Sequence, residues 1–385
     1  MEKERIYLDY AATTPLDPQV LAAMLPCFGR VFGNPASLHA FGQEAGMAVE
    51  AARNKLAALL GAAPAEIVFT SGGTESDNFA LKGVAYGNRE KGDHLIVSAV
   101  EHHAVLESAR FLEKEGFRIT LLPVDGTGRV DPEDVRRAIT EKTILISVMH
   151  ANNEIGTLQP VAAIGAIARE RGICFHTDAV QTFGHLPFTA ADLNADLVSA
   201  SAHKLYGPKG VGLLYIRKGT RLAPFLHGGE QEGRRRASTL NVPGIVGFAK
   251  AAELAAAELP GELERLTVLR DRFQRGVLER LAGVRLNGHP AERLPGHIHF
   301  SLSGIEAEGV LLGLDMQGIA CATGSACSST SMEASHVLSA IGLPREFLRG
   351  SLRFTLGRQT TEEEVDAALA ALVQVVGRLR PRASR

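Results

Sequence analysis

The chain has few cysteines, no long apolar run and little net charge. Its four cysteines, Cys27, Cys174, Cys321 and Cys327, are scattered through 385 residues and form no Cys-x-x-Cys pair. Neither a disulfide framework nor a cysteine-based metal site is therefore indicated. No uninterrupted apolar stretch of about 18 residues, the length that could span a bilayer, is present. The formal net charge of −2 provides no polybasic surface for nucleic acid or acidic lipid.

The first six residues are mostly charged and lack the apolar core of a signal peptide. Mean hydropathy is close to zero. We therefore expect a cytoplasmic enzyme that contacts neither membranes nor nucleic acid directly. The length allows a large domain and a smaller one.

Short apolar strands alternate with helices over the first part of the chain. Helices are predicted at 43–61, from 71–74 onward, at 103–115 and at 161–171. Strands are predicted at 66–70, 94–98, 118–122, 143–149, 173–177, 196–200 and 211–216. This alternation is typical of an α/β fold with a mostly parallel sheet covered on both faces.

The pattern changes after residue 244. An Ala/Leu/Glu-rich helical stretch runs to about residue 281 and is predicted to break near Pro260-Gly261. Strands at 297–302 and 352–355 and a helix from Thr361 follow. We predict a large domain over 14–256 and a small α+β domain formed by 1–13 and 257–385.

Lys204 lies between an apolar strand and a glycine-rich turn, in residues 201–210, Ser-Ala-His-Lys-Leu-Tyr-Gly-Pro-Lys-Gly. Burying an unpartnered ammonium is costly, whereas a rigidly held lysine amine can form a Schiff base with a carbonyl carbon. Enzymes that use pyridoxal 5′-phosphate (PLP) need such a lysine, a carboxylate for the pyridine nitrogen and donors for the phosphate. A surface lysine in a loop would give the same local pattern.

Two other segments contain candidates for the phosphate donors and for the carboxylate that PLP needs. Residues 70–76, Thr-Ser-Gly-Gly-Thr-Glu-Ser, place glycines and hydroxyls before a helix, where backbone N–H groups and the helix dipole favour an anion. An ordinary helix N-cap by Ser71 or Thr74 is the alternative. Asp178 ends an apolar strand, the position at which open α/β sheets bind ligands. It can pair with a pyridine nitrogen there, or it can cap a helix.

The doublet His102-His103 follows another predicted strand. One of these histidines can stack on a ring face and transfer protons near neutral pH. A solvated doublet at the start of a helix is the alternative.

Taken in order, these motifs resemble those of the cysteine desulfurases (NifS/IscS-like), within the class V branch of the fold-type I PLP enzymes. The motifs are Thr-Ser-Gly-Gly-Thr-Glu-Ser, Glu-His-His, Asn-Asn-Glu-Ile-Gly, Asp-Ala-Val-Gln and Ser-Ala-His-Lys-Leu-Tyr-Gly-Pro-Lys-Gly. The resemblance extends from residues 7–14 to 352–358, essentially the whole chain. It implies a fold-type I architecture, a PLP cofactor, and a homodimer with active sites at the subunit interface.

The resemblance also implies roles for individual residues toward the cofactor. Lys204 would form the Schiff base, Asp178 would pair with the pyridine nitrogen, and His102 would stack on the ring and assist proton transfer. The residues expected to hold the phosphate are Gly73, Thr74, Ser201 and His203.

Further residues would contact the ring and the substrate. Asn153 and Gln181 would bind the phenolic oxygen of the ring, with Asn153 also next to the substrate. Arg353 would bind the substrate carboxylate, a bidentate task suited to guanidinium. Asn34 lies in a segment that lines the substrate entrance in the family.

One segment departs from the family pattern. Residues 236–239 read Arg-Ala-Ser-Thr, where the family usually has Arg-Ser-Gly-Thr or Arg-Ala-Gly-Thr. The resemblance implies that Thr239 donates to the PLP phosphate of the neighbouring subunit. A backbone with positive φ at Ser238 would be strained by the side chain.

A thiol separates desulfurases from aminotransferases of the same class. Residues 318–331 are mostly small or polar, which predicts a mobile loop. Such a loop can carry a nucleophilic thiol, which must be reachable and partly ionised. In the family the cysteine of Gly-Ser-Ala-Cys carries the persulfide, which here is Cys327. Cys321 is predicted to be a small core residue. No metal is required, although Cys327 is expected to contact a cluster during sulfur delivery.

The sequence thus predicts a cysteine desulfurase that converts L-cysteine to L-alanine and passes sulfur to acceptor proteins. Iron–sulfur scaffolds, tRNA-thiolation enzymes and cofactor-sulfuration proteins are the acceptors that the resemblance implies. A selenocysteine lyase or a class V aminotransferase would share the cofactor site. A non-catalytic scaffold of sulfur metabolism is a further alternative, but the presence of Lys204, Asp178, His102 and Cys327 argues against it.

Overall fold

The computed structural model describes residues 5–323 and 335–380. Cys327 lies outside these ranges. Within them, no helix is both long and apolar enough to cross a membrane.

The elements follow the predicted alternation. The strands are β1 (Ile6–Tyr7), β2 (Ile67–Thr70), β3 (His94–Ser98), β4 (Arg118–Leu122), β5 (Thr143–Ser147), β6 (Cys174–Asp178), β7 (Leu197–Ser201), β8 (Gly212–Ile216), β9 (Val284–Leu286), β10 (His297–Leu302), β11 (Ile319–Ala320) and β12 (Ser351–Thr355). The helices are α1 (Pro18–Met24), α2 (Ala40–Leu59), α3 (Gly73–Gly87), α4 (His103–Lys114), α5 (Pro132–Ala138), α6 (Val161–Glu170), α7 (Val242–Arg280), α8 (Ala307–Asp315), α9 (His336–Ala340), α10 (Arg345–Leu348) and α11 (Glu362–Leu379).

The larger sheet has seven strands in the order β2-β8-β7-β6-β5-β3-β4. Its neighbouring strands are parallel except where β8 pairs with β2 and β7. Alternate side chains of β3 enter different cores: Ile96 packs in one, and Leu95 and Val97 pack in the other. Helices therefore cover both faces, as the apolar runs predicted.

The smaller sheet is antiparallel, with the order β12-β10-β9. Phe300 and Phe354 from this sheet pack with Phe273 of α7 in a separate core, together with residues of α8 and α11. Leu8 joins the same core, and β1 pairs with β11. The predicted α/β fold with a smaller α+β part is confirmed, and the domain limits at residues 13/14 and 256/257 stay predictions.

Helix α7 contradicts one expectation, because it continues through Pro260. An interior proline costs about 3 kcal/mol, since its ring removes one backbone hydrogen bond and crowds the preceding turn. Phe248, before the proline, is buried in the larger core, and Val277, after it, in the smaller one. Burial at both ends stabilises the continuous helix, so the predicted break was wrong.

Candidate active site

One cavity of about 320 Å³ collects most of the predicted site residues. It lies beyond the carboxyl ends of β6 and β7 and at the start of α3, where side chains that follow parallel strands meet. Its volume is in the range of small-molecule and cofactor sites, roughly 300–1,000 Å³. The predicted residues that line it are Gly73, Thr74, His102, Asn153, Asp178, Gln181, Ser201, His203, Lys204 and Arg353.

The amino end of α3 has the features of an anion site. The helix begins after Gly72, and no side chain in the described ranges caps it there. Neither Ser71 nor Thr74 is therefore the N-cap, and backbone N–H groups of the first turn remain for a ligand. Gly72 has a φ of +153°. A Cβ on Gly73 would lie 2.7 Å from Cγ2 of Val180, so this close approach requires glycine.

Ser201 lies beside this helix start, and His203 lines the same cavity. The Cβ of Ser201 is 3.8 Å from the position that a Gly73 Cβ would take. His203 Nδ1 is 3.1 Å from Thr13 Oγ1. Burial, followed by the charges of Lys204 and Lys209, lowers the pKa of His203 to about 4. A hydroxyl thus lies next to the N–H groups at the start of α3, and a neutral imidazole lines the same cavity.

Asp178 is buried at the end of β6, and its Oδ1 accepts a hydrogen bond of 2.8 Å from the N–H of Val180. No α-helix of the described residues begins at this position, so the helix-cap interpretation is wrong. Burial raises the pKa of Asp178 to about 6, although the Val180 N–H and the charge of Lys204 act in the opposite direction. A cationic group in the cavity would favour the ionised carboxylate.

Lys204 is directed inward rather than into a surface loop. Its Nζ donates to the carbonyl oxygens of Ala11 at 2.6 Å and Ala12 at 2.9 Å. Gln181 also donates to Ala11 O, at 3.0 Å. The lysine carbonyl lies 2.8 Å from His185 Nε2. These contacts fix the amine at the cavity wall and exclude the surface-lysine interpretation.

His102 caps α4, and its Nδ1 accepts a hydrogen bond of 3.1 Å from the N–H of Ala104. Burial, followed by the charges of Lys204, His103 and His336, lowers the pKa of His102 to about 4. The ring is therefore neutral near pH 7, with its proton on Nε2. The solvated-doublet interpretation is wrong for this residue.

Arg353 reaches the cavity from β12 of the smaller sheet. Its Nη2 donates to Asp9 Oδ1 and its Nη1 to the carbonyl of Asn153, both at 2.8 Å. The residue is 2% exposed. The cavity is consequently lined from both sheets, by Arg353 of β12 and by Lys204, which follows β7.

Two predicted residues do not line the cavity. Asn34 and Thr239 are both exposed, and Asn34 Oδ1 accepts a hydrogen bond from the N–H of Ala36. Their roles stay predictions. Ser238 has a φ of +107°, which is the backbone conformation that a non-glycine side chain would strain.

Of the two cysteines at the predicted loop, Cys321 is among the described residues. Cys321 is partly buried against the smaller core, and burial raises the pKa of its thiol to about 12. This environment fits the packing role predicted for it, because a thiol with so high a pKa is a poor nucleophile. Cys327 is outside the described residues, and its role stays a prediction.

The sequence interpretation missed several residues that line the cavity. Asp77 lies one helical turn after Gly73, is 1% exposed, and has Oδ1 3.6 Å from His176 Nε2. Burial and the nearby Asp178 raise its pKa well above the ordinary value. The i,i+4 spacing could have indicated it. Glu154 and His336 also line the cavity.

Comparisons with known proteins show which sequences this chain is similar to. The family described as aminotransferase class-V matches residues 6–368. The cysteine desulfurase IscS of Dictyoglomus turgidum is 56% identical over 378 residues, which is 98% of this chain and 96% of that protein. The cysteine desulfurase IscS of Methanosarcina thermophila is 52% identical, over 98% and 94% of the two chains.

Solved structures of NifS-like proteins and cysteine desulfurases are also similar to this chain. A NifS-like protein superposes with a TM-score of 0.92 at 39% identity, covering 98% of this chain and 100% of that one. A cysteine desulfurase from Thermococcus onnurineus, solved in an apo form, superposes with a TM-score of 0.87 at 27% identity, covering 97% and 95%. The resemblance identified in the sequence is confirmed.

Proposed function

The chain belongs to the class-V aminotransferase family, whose members depend on PLP, and from this membership we propose that it is a PLP-dependent cysteine desulfurase. It converts L-cysteine to L-alanine and transfers the sulfur to Cys327 as a persulfide. The observation that carries this proposal is the single cavity in which Lys204, Asp178 and Arg353 meet.

The donor set of the cavity fits PLP. The start of α3, with Ser201 beside it and His203 in the lining of the same cavity, suits a phosphate. Asp178 suits a pyridine nitrogen. Burial raises the pKa of this carboxyl, and the positive charge of a protonated ring would offset that effect by favouring the ionised carboxylate. When bound, PLP supplies an electron sink that makes the Cα proton of an amino acid acidic.

Four side chains that line the cavity then have separate roles in the reaction. Lys204 holds the cofactor and afterwards accepts the Cα proton of the substrate at Nζ. Asp178 would keep a proton on the pyridine nitrogen of bound PLP. His102 presents Nε2–H to the cavity, since its Nδ1 accepts the Ala104 N–H. Arg353, held by Asp9 and the Asn153 carbonyl, binds the substrate carboxylate.

Cys327 accepts the sulfur. Its thiolate forms a bond to the substrate sulfur while the Cβ–S bond of the substrate breaks, and the electron pair of that bond remains on Cβ. A proton then completes the methyl group of alanine. The persulfide on Cys327 passes to an acceptor, which we propose to be an iron–sulfur scaffold or a tRNA-thiolation enzyme in the cytoplasm.

We also propose a homodimer. Large apolar side chains are exposed in one stretch near the amino end: Leu21, Leu25, Phe28, Phe32, Leu38, Phe41 and Met47. Exposed apolar side chains in such number are typical of protein interfaces. Thr239 is exposed, as expected for a residue that donates to the phosphate site of a partner subunit.

The proposed function is tested with L-cysteine, with selenocysteine and with keto acids. We expect alanine and sulfide in equal amounts from cysteine in the presence of a thiol reductant. Transamination of a keto acid without sulfide release would show an aminotransferase instead. Activity with selenocysteine alone would show a lyase for that substrate.

The lysine assignment has its own test and control. Lys204→Ala should lack the visible absorbance of the bound cofactor and any borohydride-reducible linkage. Lys209→Ala changes an exposed lysine in the same turn and should retain both. Trapping of the cofactor on another lysine would contradict the assignment.

A further inference from the structure

A second, smaller cavity of about 40 Å³ adjoins the candidate active site. Lys204, Ala11 and Gln181 line both cavities, so the two cavities share part of their lining. A single water molecule needs roughly 10–15 Å³ of such space. The smaller cavity therefore has room for about three water molecules, and it is far below the roughly 300 Å³ of a small-molecule site.

Two buried polar atoms belong to residues that line this cavity. They are Nε2 of His297 and Oε1 of Glu262, and neither has a hydrogen-bond partner among the residues that the structure describes. His297 is 8% exposed, whereas Glu262 is only partly buried. A buried polar atom without a partner costs about 1–3 kcal/mol. Ordered water commonly satisfies such atoms.

We propose that the smaller cavity binds a short chain of water molecules that carries protons between Lys204 Nζ and solvent by way of Glu262. This inference rests on the proposed function, in which Lys204 accepts the Cα proton of the substrate. Glu262 connects the cavity to the surface, because its residue is partly exposed while its Oε1 is buried.

The transfer is a proton movement only. One N–H bond of the Lys204 ammonium breaks and an O–H bond of the adjacent water forms. Each water passes on one of its own protons, and the last proton reaches a Glu262 carboxylate oxygen and then solvent. No electrons are transferred.

His297 is a positioning residue in this arrangement. Burial, followed by the charges of Arg353 and Arg293, lowers its pKa well below the ordinary value. The ring therefore stays neutral and holds a water molecule by a hydrogen bond without taking up the proton.

The first test needs no cofactor. A crystal structure of the apoprotein, at a resolution that shows ordered water, should contain water within hydrogen-bond distance of His297 Nε2 and Glu262 Oε1. A cavity whose density shows no water at either atom would overturn the proposal.

The second test follows the proton. The PLP-loaded enzyme is incubated with L-alanine in D₂O, and exchange of the Cα hydrogen is measured by NMR. Glu262→Gln keeps the shape of the side chain and removes its ability to accept a proton. We expect exchange to slow about tenfold, less than the ~10²-fold or more typical of a group that transfers protons to substrate directly.

Glu258→Gln is the matched control. Glu258 lies one turn earlier on α7, pairs with Arg358 Nε at 2.7 Å, and is not among the described residues that line the cavity. This variant should exchange at the wild-type rate. His297→Gln should slow exchange as Glu262→Gln does.

The outcomes separate the two proposals. Equal rates for wild type, Glu262→Gln and His297→Gln would overturn the water chain alone. A wild-type enzyme that exchanges no Cα hydrogen would contradict the role of Lys204 in the proposed function, and the apoprotein crystal structure would still decide whether the water site exists.

Discussion

The ion pair between Arg53 and Glu232 is the contact whose loss we expect to be most informative. Arg53 Nη2 lies 2.6 Å from Glu232 Oε1, and Nη1 lies 3.0 Å from Oε2. The same Oε2 accepts the N–H of Phe69 at 2.8 Å. The side chains are only 10% and 1% exposed. The pair joins α2 and β2 to the segment that carries Ser238 and Thr239.

Glu232→Gln removes the negative charge and leaves a buried guanidinium. Loss of one partner of a buried pair costs about 3–5 kcal/mol. Glu50 still contacts Arg53 Nε, although it is 60% exposed, so we expect the lower end, about 3 kcal/mol. An unfolding entropy of about 2.1 cal/mol/K per residue over 385 residues converts this to a decrease of about 4 °C in melting temperature.

The measurement is differential scanning calorimetry of the apoprotein at pH 7, with Glu107→Gln as the control. Glu107 pairs with Arg110 on the surface, where the side chains are 60% and 63% exposed. Such pairs contribute about 0–1 kcal/mol, so the control should melt within about 1 °C of wild type. The double variant Arg53→Met/Glu232→Met should be less destabilised than the sum of its single variants. If Glu232→Gln melts like Glu107→Gln, the reasoning is refuted.

Three other predictions test the strained turn, the thiols and a buried histidine. Ser238→Gly should raise stability by about 1 kcal/mol, because relief of strain at φ +107° exceeds the entropy cost of glycine; an unchanged or lower melting temperature in calorimetry would show that the backbone is unstrained. Cys327→Ala should bind PLP and release almost no sulfide from cysteine, while Cys321→Ala keeps most activity in the same assay; the reverse result would move the nucleophile to Cys321. Burial lowers the pKa of His150 from 6.5 to about 4. Between these pH values the imidazole binds a proton in the unfolded chain but not in the folded protein, so the free energy of unfolding decreases as pH falls through this window. His150→Gln should therefore show a smaller decrease in melting temperature over that range, and an equal decrease would contradict the assignment.

Local pattern determined much of the fold. β3, β4 and β10 were predicted with the bounds that the structure gives them. For β3 the reason is burial of every residue, which favours apolar residues at successive positions, whereas apolar and polar residues alternate in β10. Short elements such as α5, α9 and α10 were missed, since a helix of four to seven residues holds at most two turns of periodic signal.

Part of the candidate active site was predictable from the ends of the buried strands. Lys204, Asp178 and His102 each follow a buried strand, and the carboxyl ends of parallel strands meet at one edge. Their placement around one cavity followed from that rule and from the order of the motifs.

The sequence alone thus determined which residues end strands, where glycine is needed and which family pattern the chain carries. Only the tertiary structure decided that Arg353 contacts Asp9, that Ser335 donates to Glu154, and that α7 continues through Pro260. Periodicity within an element reports which of its faces is buried. It does not report which distant element covers that face, because that choice depends on how all the buried surfaces pack together.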